Sequence, residues 1–105
     1  MSRVFVSVGS NIERERHVRS GLTELRERFG QLTLSRIYES EAVGFAGDDF
    51  FNLVVGFDTE ESVRAVADSL RDIELLHSRD RRAPRFSSRT LDLDLLLYGD
   101  LVMEE

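Results

Sequence analysis

The sequence predicts an α+β domain in which two helices cover one face of an antiparallel sheet. Three observations support this fold class. Strand-like and helix-like segments follow one another in the order βαββαβ, and both helical segments are apolar along one side only. A chain of 105 residues is also long enough to bury one core. No repeat or linker divides the sequence, so we expect a single domain over residues 1–105.

The first half of the chain opens with a strand and a helix. Arg3–Val8 is a β-branched run and predicts a central strand. Ser10 with Glu13 three residues later predicts a capping box, and Gly30 ends the helix that follows. Gly9 before a helix is compatible with a phosphate cradle, but a single glycine is explained more simply by a strand-to-helix turn.

The second half of the chain predicts two strands, a helix and a last strand. Leu32–Tyr38 and Phe50–Phe57 predict two further strands. Thr59 is expected to cap a second helix whose inner stripe reaches His77, a residue that we interpret as a helix end and not as a metal ligand. With the strand that follows residue 90, the order is that of the ferredoxin-like split βαβ arrangement.

The last strand carries two carboxylates near its start. Alternate side chains of a strand share a face, so Asp92 and Asp94 point the same way. Leu96 and Tyr98 are expected to continue their face while Leu97 takes the other. This pattern predicts a strand that is buried on both sides.

The chemistry of this strand depends on what precedes it. Two carboxylates with Cα atoms roughly 6–7 Å apart repel each other, which raises the pKa of one of them unless a cation binds. Mg²⁺ is usually held by one or two carboxylates plus substrate phosphates. Five arginines that can grip phosphate lie just upstream: Arg79, Arg81, Arg82, Arg85 and Arg89. The pattern indicates phosphoryl transfer from a nucleotide, although an acidic strand end beside a solvated basic loop remains an open alternative.

Composition excludes several other functions. The net charge of −6 argues against a general nucleic-acid binder and against an RNA-recognition variant of the fold. The absence of cysteine excludes disulfides and thiolate metal sites. No apolar run reaches the ~18 residues of a membrane span, and no signal peptide is recognisable, so we expect a cytoplasmic protein.

Short motifs along the whole chain resemble one family. They are Val6-Ser7-Val8-Gly9-Ser10-Asn11, Ile37-Tyr38-Glu39-Ser40, Val43-Gly44, Phe50-Phe51-Asn52, Ile73-Glu74, Arg79, Arg81 and Arg89-Thr90-Leu91-Asp92-Leu93-Asp94. In this order and spacing they resemble the 6-hydroxymethyl-7,8-dihydropterin pyrophosphokinases, folate-pathway enzymes that move pyrophosphate from ATP onto a pterin alcohol. The resemblance implies a magnesium-dependent transferase with ATP and a pterin as its small-molecule partners.

The resemblance also implies roles for individual residues. Asp92 and Asp94 would bind two Mg²⁺ ions that bridge the ATP phosphates, and with Arg81 and Arg89 they form the expected catalytic set. The implied ATP site comprises Arg71, Glu74, Arg79, Arg81 and Arg89. The implied pterin site comprises Ser40, Val43, Phe50, Asn52 and Phe86. Loops 39–49 and 78–88 correspond to the family's catalytic loops and are expected to close over substrate.

The sequence departs from the family in its two loops and at its end. Glu41 and Phe86 stand where the family usually has proline and tryptophan, Ser78 replaces a usual glycine, and Ser87-Ser88 replaces a usual Gly-Pro. The chain stops at Glu105, before the family's usual C-terminal segment. We therefore expect weak turnover from the chain as given. The alternative is a catalytically weak or inactive ferredoxin-like module that binds a nucleotide or a partner.

Overall fold

The structure is a computed structural model that describes residues 1–11, 13–40, 50–77 and 91–102. Its elements are β1 (Ser2–Ser10), α1 (Arg14–Phe29), β2 (Thr33–Leu34), β3 (Tyr38–Ser40), β4 (Phe50–Thr59), α2 (Val63–Leu76), β5 (Asp92–Tyr98) and β6 (Leu101–Val102). The predicted order of strands and helices is confirmed. The predicted second strand is divided into β2 and β3, and β6 adds a short strand that the sequence did not predict.

The sheet is antiparallel, with the strand order β2-β4-β1-β5-β6, and β3 also pairs with β4. β1 therefore lies in the centre, between β4 and β5. Both connections through a helix, from β1 to the β2–β3 segment and from β4 to β5, skip over a neighbouring strand. This is the ferredoxin-like arrangement, and it confirms the predicted α+β class.

The core lies between the helices and one face of this sheet. The alternate residues Val4, Val6 and Val8 of β1 have no exposed surface, and neither does Phe57 of β4. Phe29 at the end of α1 stacks on Phe57 with ring centroids 4.2 Å apart. Each buried valine or phenylalanine contributes roughly 1.5–3 kcal/mol relative to an exposed one. This layer holds both helices to one face. In the part of the chain that the structure describes, the opposite face, here called the open face, has no helix.

The starts of both helices differ from the predictions. β1 continues through Gly9 to Ser10, so α1 begins only at Arg14, after Glu13 in a left-handed conformation with φ of 43°. The predicted capping box at Ser10 is therefore wrong, because Ser10 is buried as the last strand residue. The cap of α2 is Ser62, whose hydroxyl accepts a hydrogen bond from the Ala65 amide at 3.1 Å, and not Thr59.

β5 is irregular at Leu96, and this corrects the predicted alternation. Leu95 pairs with Val6 and Leu97 pairs with the preceding residue of β1, so Leu96 is an extra residue, as in a β-bulge. Beyond the bulge the faces exchange. Tyr98 lies opposite Val4 and packs against the core, while Leu97 joins the open face. Leu96 is 36% exposed, so the prediction of burial on both faces is wrong here.

The exchange of faces predicts a role for the Tyr98 hydroxyl in stability. It donates a hydrogen bond to the Glu61 carbonyl just before α2. Tyr98→Phe is expected to lower the free energy of unfolding by about 0.5–1.5 kcal/mol, measured by urea denaturation. Tyr38→Phe, at the other tyrosine, is the control and should leave it unchanged because Tyr38 is 59% exposed. Equal effects of the two substitutions would contradict the assignment.

Candidate active site

One row of residues crosses the open face at the end of the sheet where β1 finishes. Asp92 pairs with Gly9, Gly9 pairs with Asn52, and Asn52 pairs with Tyr38. Their neighbours in the strands, such as Val8 and Leu93, are buried on the helix side. Because adjacent strand residues point to opposite faces, these four positions share the open face. We call them the site row.

The acidic end of the site row gathers three carboxyl groups. Asp92 and Asp94 are half-buried on β5, with Asp94 opposite Ser7 of β1. Glu74 reaches them from the last turn of α2. One of its carboxylate oxygens accepts a hydrogen bond from the Leu93 amide at 2.9 Å, and its carboxyl group is also hydrogen-bonded to Asp92. The helix and the strand are therefore joined at the predicted metal site.

Crowding of these carboxyl groups changes the acidity of Glu74. The pKa of Glu74 is raised from 4.5 to about 7, and burial is the largest cause. The charge of Asp92, its hydrogen bond to Glu74 and the charge of Asp94 contribute to this rise, whereas the Leu93 amide opposes it. The sequence predicted a raised pKa for one of the two aspartates; the structure gives a raised pKa to Glu74.

The donor set can be tested against the predicted Mg²⁺. Within the described residues, no group of three or more histidine, aspartate or glutamate side chains is placed to hold a metal ion. Two neighbouring aspartates do fit the usual protein share of a Mg²⁺ site, in which phosphate and water complete the shell. The negative charges of Asp92 and Asp94 raise the pKa of Glu74, and a cation bound beside them would offset that effect.

The middle of the site row is formed by Asn52 and Gly9. The half-buried Asn52 side chain lies over the bare backbone of Gly9, so that its Oδ1 is 2.9 Å from the position of a Cβ on that glycine. Asn52 and Asp92 are separated by two strand spacings, about 10 Å between their Cα atoms. A flat ring bound at Asn52 and a metal-bound phosphate at Asp92 would thus be neighbours on one face.

The remaining predicted residues divide into those the structure describes and those it does not. Arg71 is exposed on α2, one turn before Glu74. Ser40 and Phe50 pair with each other at the ends of β3 and β4, beside the site row. Five predicted site residues lie outside the described residues, and their roles stay predictions: Val43, Arg79, Arg81, Phe86 and Arg89.

His77 has a structural role, as predicted. It is the C-cap of α2, and its Nδ1 lies 2.9 Å from the Ile73 carbonyl oxygen while its Nε2 lies 2.8 Å from the Ser20 hydroxyl. Its ring also meets the buried ring of His17 edge-on, with centroids 5.9 Å apart. Nδ1 thus closes the end of α2 on itself, and Nε2 joins α2 to α1.

Two members of the site row were missed by the sequence reasoning. The sequence predicts a turn at Gly9, but this residue is paired on both sides within the sheet, which also excludes it as a phosphate-cradling turn. Tyr38 was assigned to a strand without a role. The signal was available in the alternation of β1, because a strand that continued past Val8 would have placed residue 9 on the face of Ser7.

The fold and site together define a ferredoxin-like α+β protein with an acidic site at one end of its open sheet face. The chain belongs to the 7,8-dihydro-6-hydroxymethylpterin-pyrophosphokinase (HPPK) family, because the family's sequence profile matches residues 5–104. This confirms the resemblance drawn from the motifs. In the described part of the chain, no helix is long and apolar enough to cross a membrane.

Individual relatives agree with the family match. The chain is 34% identical over 108 residues to the 2-amino-4-hydroxy-6-hydroxymethyldihydropteridine pyrophosphokinase of Pseudomonas aeruginosa, covering 99% of this chain and 66% of that protein. It is 31% identical over 112 residues to the protein of the same name from Pseudomonas putida, covering 98% and 88%. It is 28% identical over 109 residues to the bifunctional protein FolKE of Lactococcus lactis, covering 100% and 31%. The chain therefore spans less than two thirds of two of these relatives.

Proposed function

We propose that this chain carries out the ATP-dependent transfer of pyrophosphate to 6-hydroxymethyl-7,8-dihydropterin in folate biosynthesis. Membership of the family and the names of the relatives support this reaction. The observation that carries the proposal is the open face, on which Asp92 and Asn52 lie in the site row and Asp94 lies beside them, opposite Ser7. In this reaction the pterin hydroxymethyl oxygen bonds to the β-phosphorus of ATP and gives up its proton to water. The bond between the β-phosphorus and the oxygen that bridges it to the α-phosphorus breaks, and AMP leaves with that oxygen.

The acidic end of the site row is proposed to bind the nucleotide phosphates. Asp92 and Asp94 would hold Mg²⁺, two ions by family resemblance, which would neutralise the charge that develops on the transferred group. Glu74 acts on these ligands through its hydrogen bond to Asp92 and its contact with the Leu93 amide. It thereby fixes the start of β5 and keeps Asp92 from turning away.

The other end of the site row is proposed to bind the pterin. An asparagine amide offers both a donor and an acceptor, which match the alternating groups on the edge of a pterin ring. Phe50 is proposed to stack on the ring, with Ser40, Val43 and Phe86 completing the pocket. The protein's contribution is then to place the hydroxymethyl oxygen near the β-phosphorus, since positioning accounts for much of such catalysis.

The arginines are proposed to hold the phosphate chain. Arg81 and Arg89 would contact the transferred group, and Arg71 and Arg79 would contribute to the ATP site. Each guanidinium can form two parallel hydrogen bonds to a phosphate, a geometry that lysine lacks.

This geometry makes a prediction for Arg89→Lys. Loss of one charge-assisted hydrogen bond, worth about 1.5–3 kcal/mol, should lower the rate of AMP release by about tenfold or more even though the charge is retained. Arg82→Lys is the control in the same segment and should have little effect. If the Arg89→Lys protein keeps full activity, Arg89 serves only as a counter-charge.

The proposed function itself is tested by measuring AMP release with ATP, Mg²⁺ and 6-hydroxymethyl-7,8-dihydropterin. Release that requires all three supports the transferase. Mg²⁺-dependent binding of ATP without AMP release would instead identify a nucleotide-binding module, and an absence of binding for both ligands would reject the site.

A further inference from the structure

Gly9 lies where the site row has no room for a side chain. A Cβ at this position would point to the open face, between Asn52 and Asp92. It would lie 2.9 Å from the Asn52 Oδ1, 3.6 Å from the Phe51 carbonyl oxygen and 3.9 Å from the Asn52 Cγ. A separation below 3.0 Å is one that real Cβ atoms essentially never show, so the Asn52 amide would have to move.

Backbone conformation does not explain the glycine. Among the described residues, the glycines with positive φ are Gly30 and Gly99. Gly9 sits in regular strand pairing with both neighbours, where other residues are accommodated readily. A β-branched residue would in fact favour the strand more. What distinguishes this position is the space above it, and that space is filled by the Asn52 side chain.

We propose that Gly9 is a positioning residue for the pterin site, because its missing side chain sets the orientation of the Asn52 amide. The inference rests on the proposed function. With bare backbone beneath it, the amide leans from β4 across β1 toward Asp92 and stays on the line that joins the two ends of the site row. An added methyl group pushes the amide away from β1, and its donor and acceptor no longer meet the ring edge together.

A side chain at position 9 is expected to affect the binding of one substrate only. Asn52 recognises the pterin ring, whereas the phosphates of ATP are held at Asp92, Asp94 and the arginines. Misplacing a positioning group by about 1 Å can cost up to about 100-fold in rate. A methyl group at Gly9 should therefore weaken pterin binding and leave the affinity for Mg²⁺-ATP nearly unchanged.

Gly56 provides a matched control. It lies on the same open face, and a Cβ there would be 2.9 Å from the Phe5 Cε1, the same separation as at Gly9. Gly56 pairs with Thr33 and Phe5, at the opposite end of the sheet from the site row. A Cβ at Gly56 would also lie 3.1 Å from an Arg3 guanidinium nitrogen and 3.2 Å from the Phe5 Cδ1, so Gly56→Ala imposes at least as large a steric cost on the sheet without touching Asn52.

The test compares Gly9→Ala, Gly56→Ala and Asn52→Ser, singly and as the Gly9→Ala/Asn52→Ser pair. Gly9→Ala is expected to raise the pterin dissociation constant by about tenfold, with Mg²⁺-ATP affinity retained, while Gly56→Ala retains both. In the Asn52→Ser background, Gly9→Ala should cause no further loss of affinity and less destabilisation than it does alone, because the shorter side chain removes the clash. Additive losses in the double variant would overturn the proposal.

A second measurement needs no ligand. The Asn52 side-chain amide signals in a ¹⁵N–¹H spectrum are assigned by their absence from the Asn52→Ser protein. They should shift in Gly9→Ala and stay in place in Gly56→Ala; unmoved signals in Gly9→Ala would overturn the proposal.

If the unaltered protein binds no pterin, the proposed function fails, but this spectrum still tests whether Gly9 orients Asn52. If Gly9→Ala unfolds, recovery of the fold in the double variant supports the clash, and failure to recover overturns it.

Discussion

Asp92→Asn and Asp94→Asn are each expected to lower Mg²⁺-dependent AMP release by about 100- to 1000-fold. The physical reason is that an amide is a much poorer ligand for a hard cation, and metal stabilisation of a transferred phosphoryl group is worth several kcal/mol. The fold should persist. Removal of one repelling carboxylate beside Glu74 is expected to leave the unfolding midpoint unchanged or higher in the metal-free protein.

Asp58→Asn is the matched control for this prediction. Asp58 lies on β4 at the far end of the sheet, where it forms an exposed ion pair with Arg3 at 3.5 Å. Such pairs contribute little, so neither activity nor stability should change much. The metal role is rejected if ATP binds with the same affinity in the presence of a chelator and if both asparagine variants retain normal turnover.

The metal-free protein is expected to lose stability as the pH rises from about 4.5 to about 7. Glu74 has its pKa raised to about 7, so the folded state keeps a proton on this carboxyl group that the unfolded state releases. The stability that this proton contributes is fully present at pH values below the pKa of Glu74 in the unfolded state. It is lost as the pH rises through the pKa of Glu74 in the folded state. For a fully buried group the change would be about 3 kcal/mol. Partial exposure of Glu74 reduces the expected change to about 1–2 kcal/mol.

The measurement is the free energy of unfolding in urea at several pH values between 4 and 8. Glu74→Gln cannot ionise, so its profile should lack this decline and lie above that of the unaltered protein near neutral pH. Glu27→Gln, at an exposed position on α1, is the control and should reproduce the unaltered profile. A decline that persists in Glu74→Gln would assign the pH dependence to other groups.

The sequence was sufficient for the main features of the fold because they depend on regular patterns. The alternation of Val4, Val6 and Val8 and the one-sided apolar stripes of the helices are enough to predict the layers and the order of elements. The Asp92 and Asp94 pair was also predictable, since two residues separated by one must share a face of a strand.

The parts that were missed depend on contacts between distant segments. The extra residue at Leu96 is detected only when β5 is paired with β1, and it reverses the face of Tyr98. Glu74 lies 19 positions before Leu93, and only the packing of α2 against β5 brings its carboxylate to that amide. Gly9 belongs to the site because of Asn52 on another strand, a relation that no local pattern contains.

The hydrogen bond from the Leu93 amide to Glu74 also affects how the sheet can grow. In the described chain β6 pairs only with Leu97 and Tyr98, so the first residues of β5 form an edge of the sheet. Unpaired amides at an edge can recruit a strand from another molecule, and charged groups directed at the edge prevent this. Glu74 accepts the hydrogen bond of the Leu93 amide and brings an acidic group to the edge. The carboxyl group that is hydrogen-bonded to the start of β5 therefore also protects this edge from aggregation.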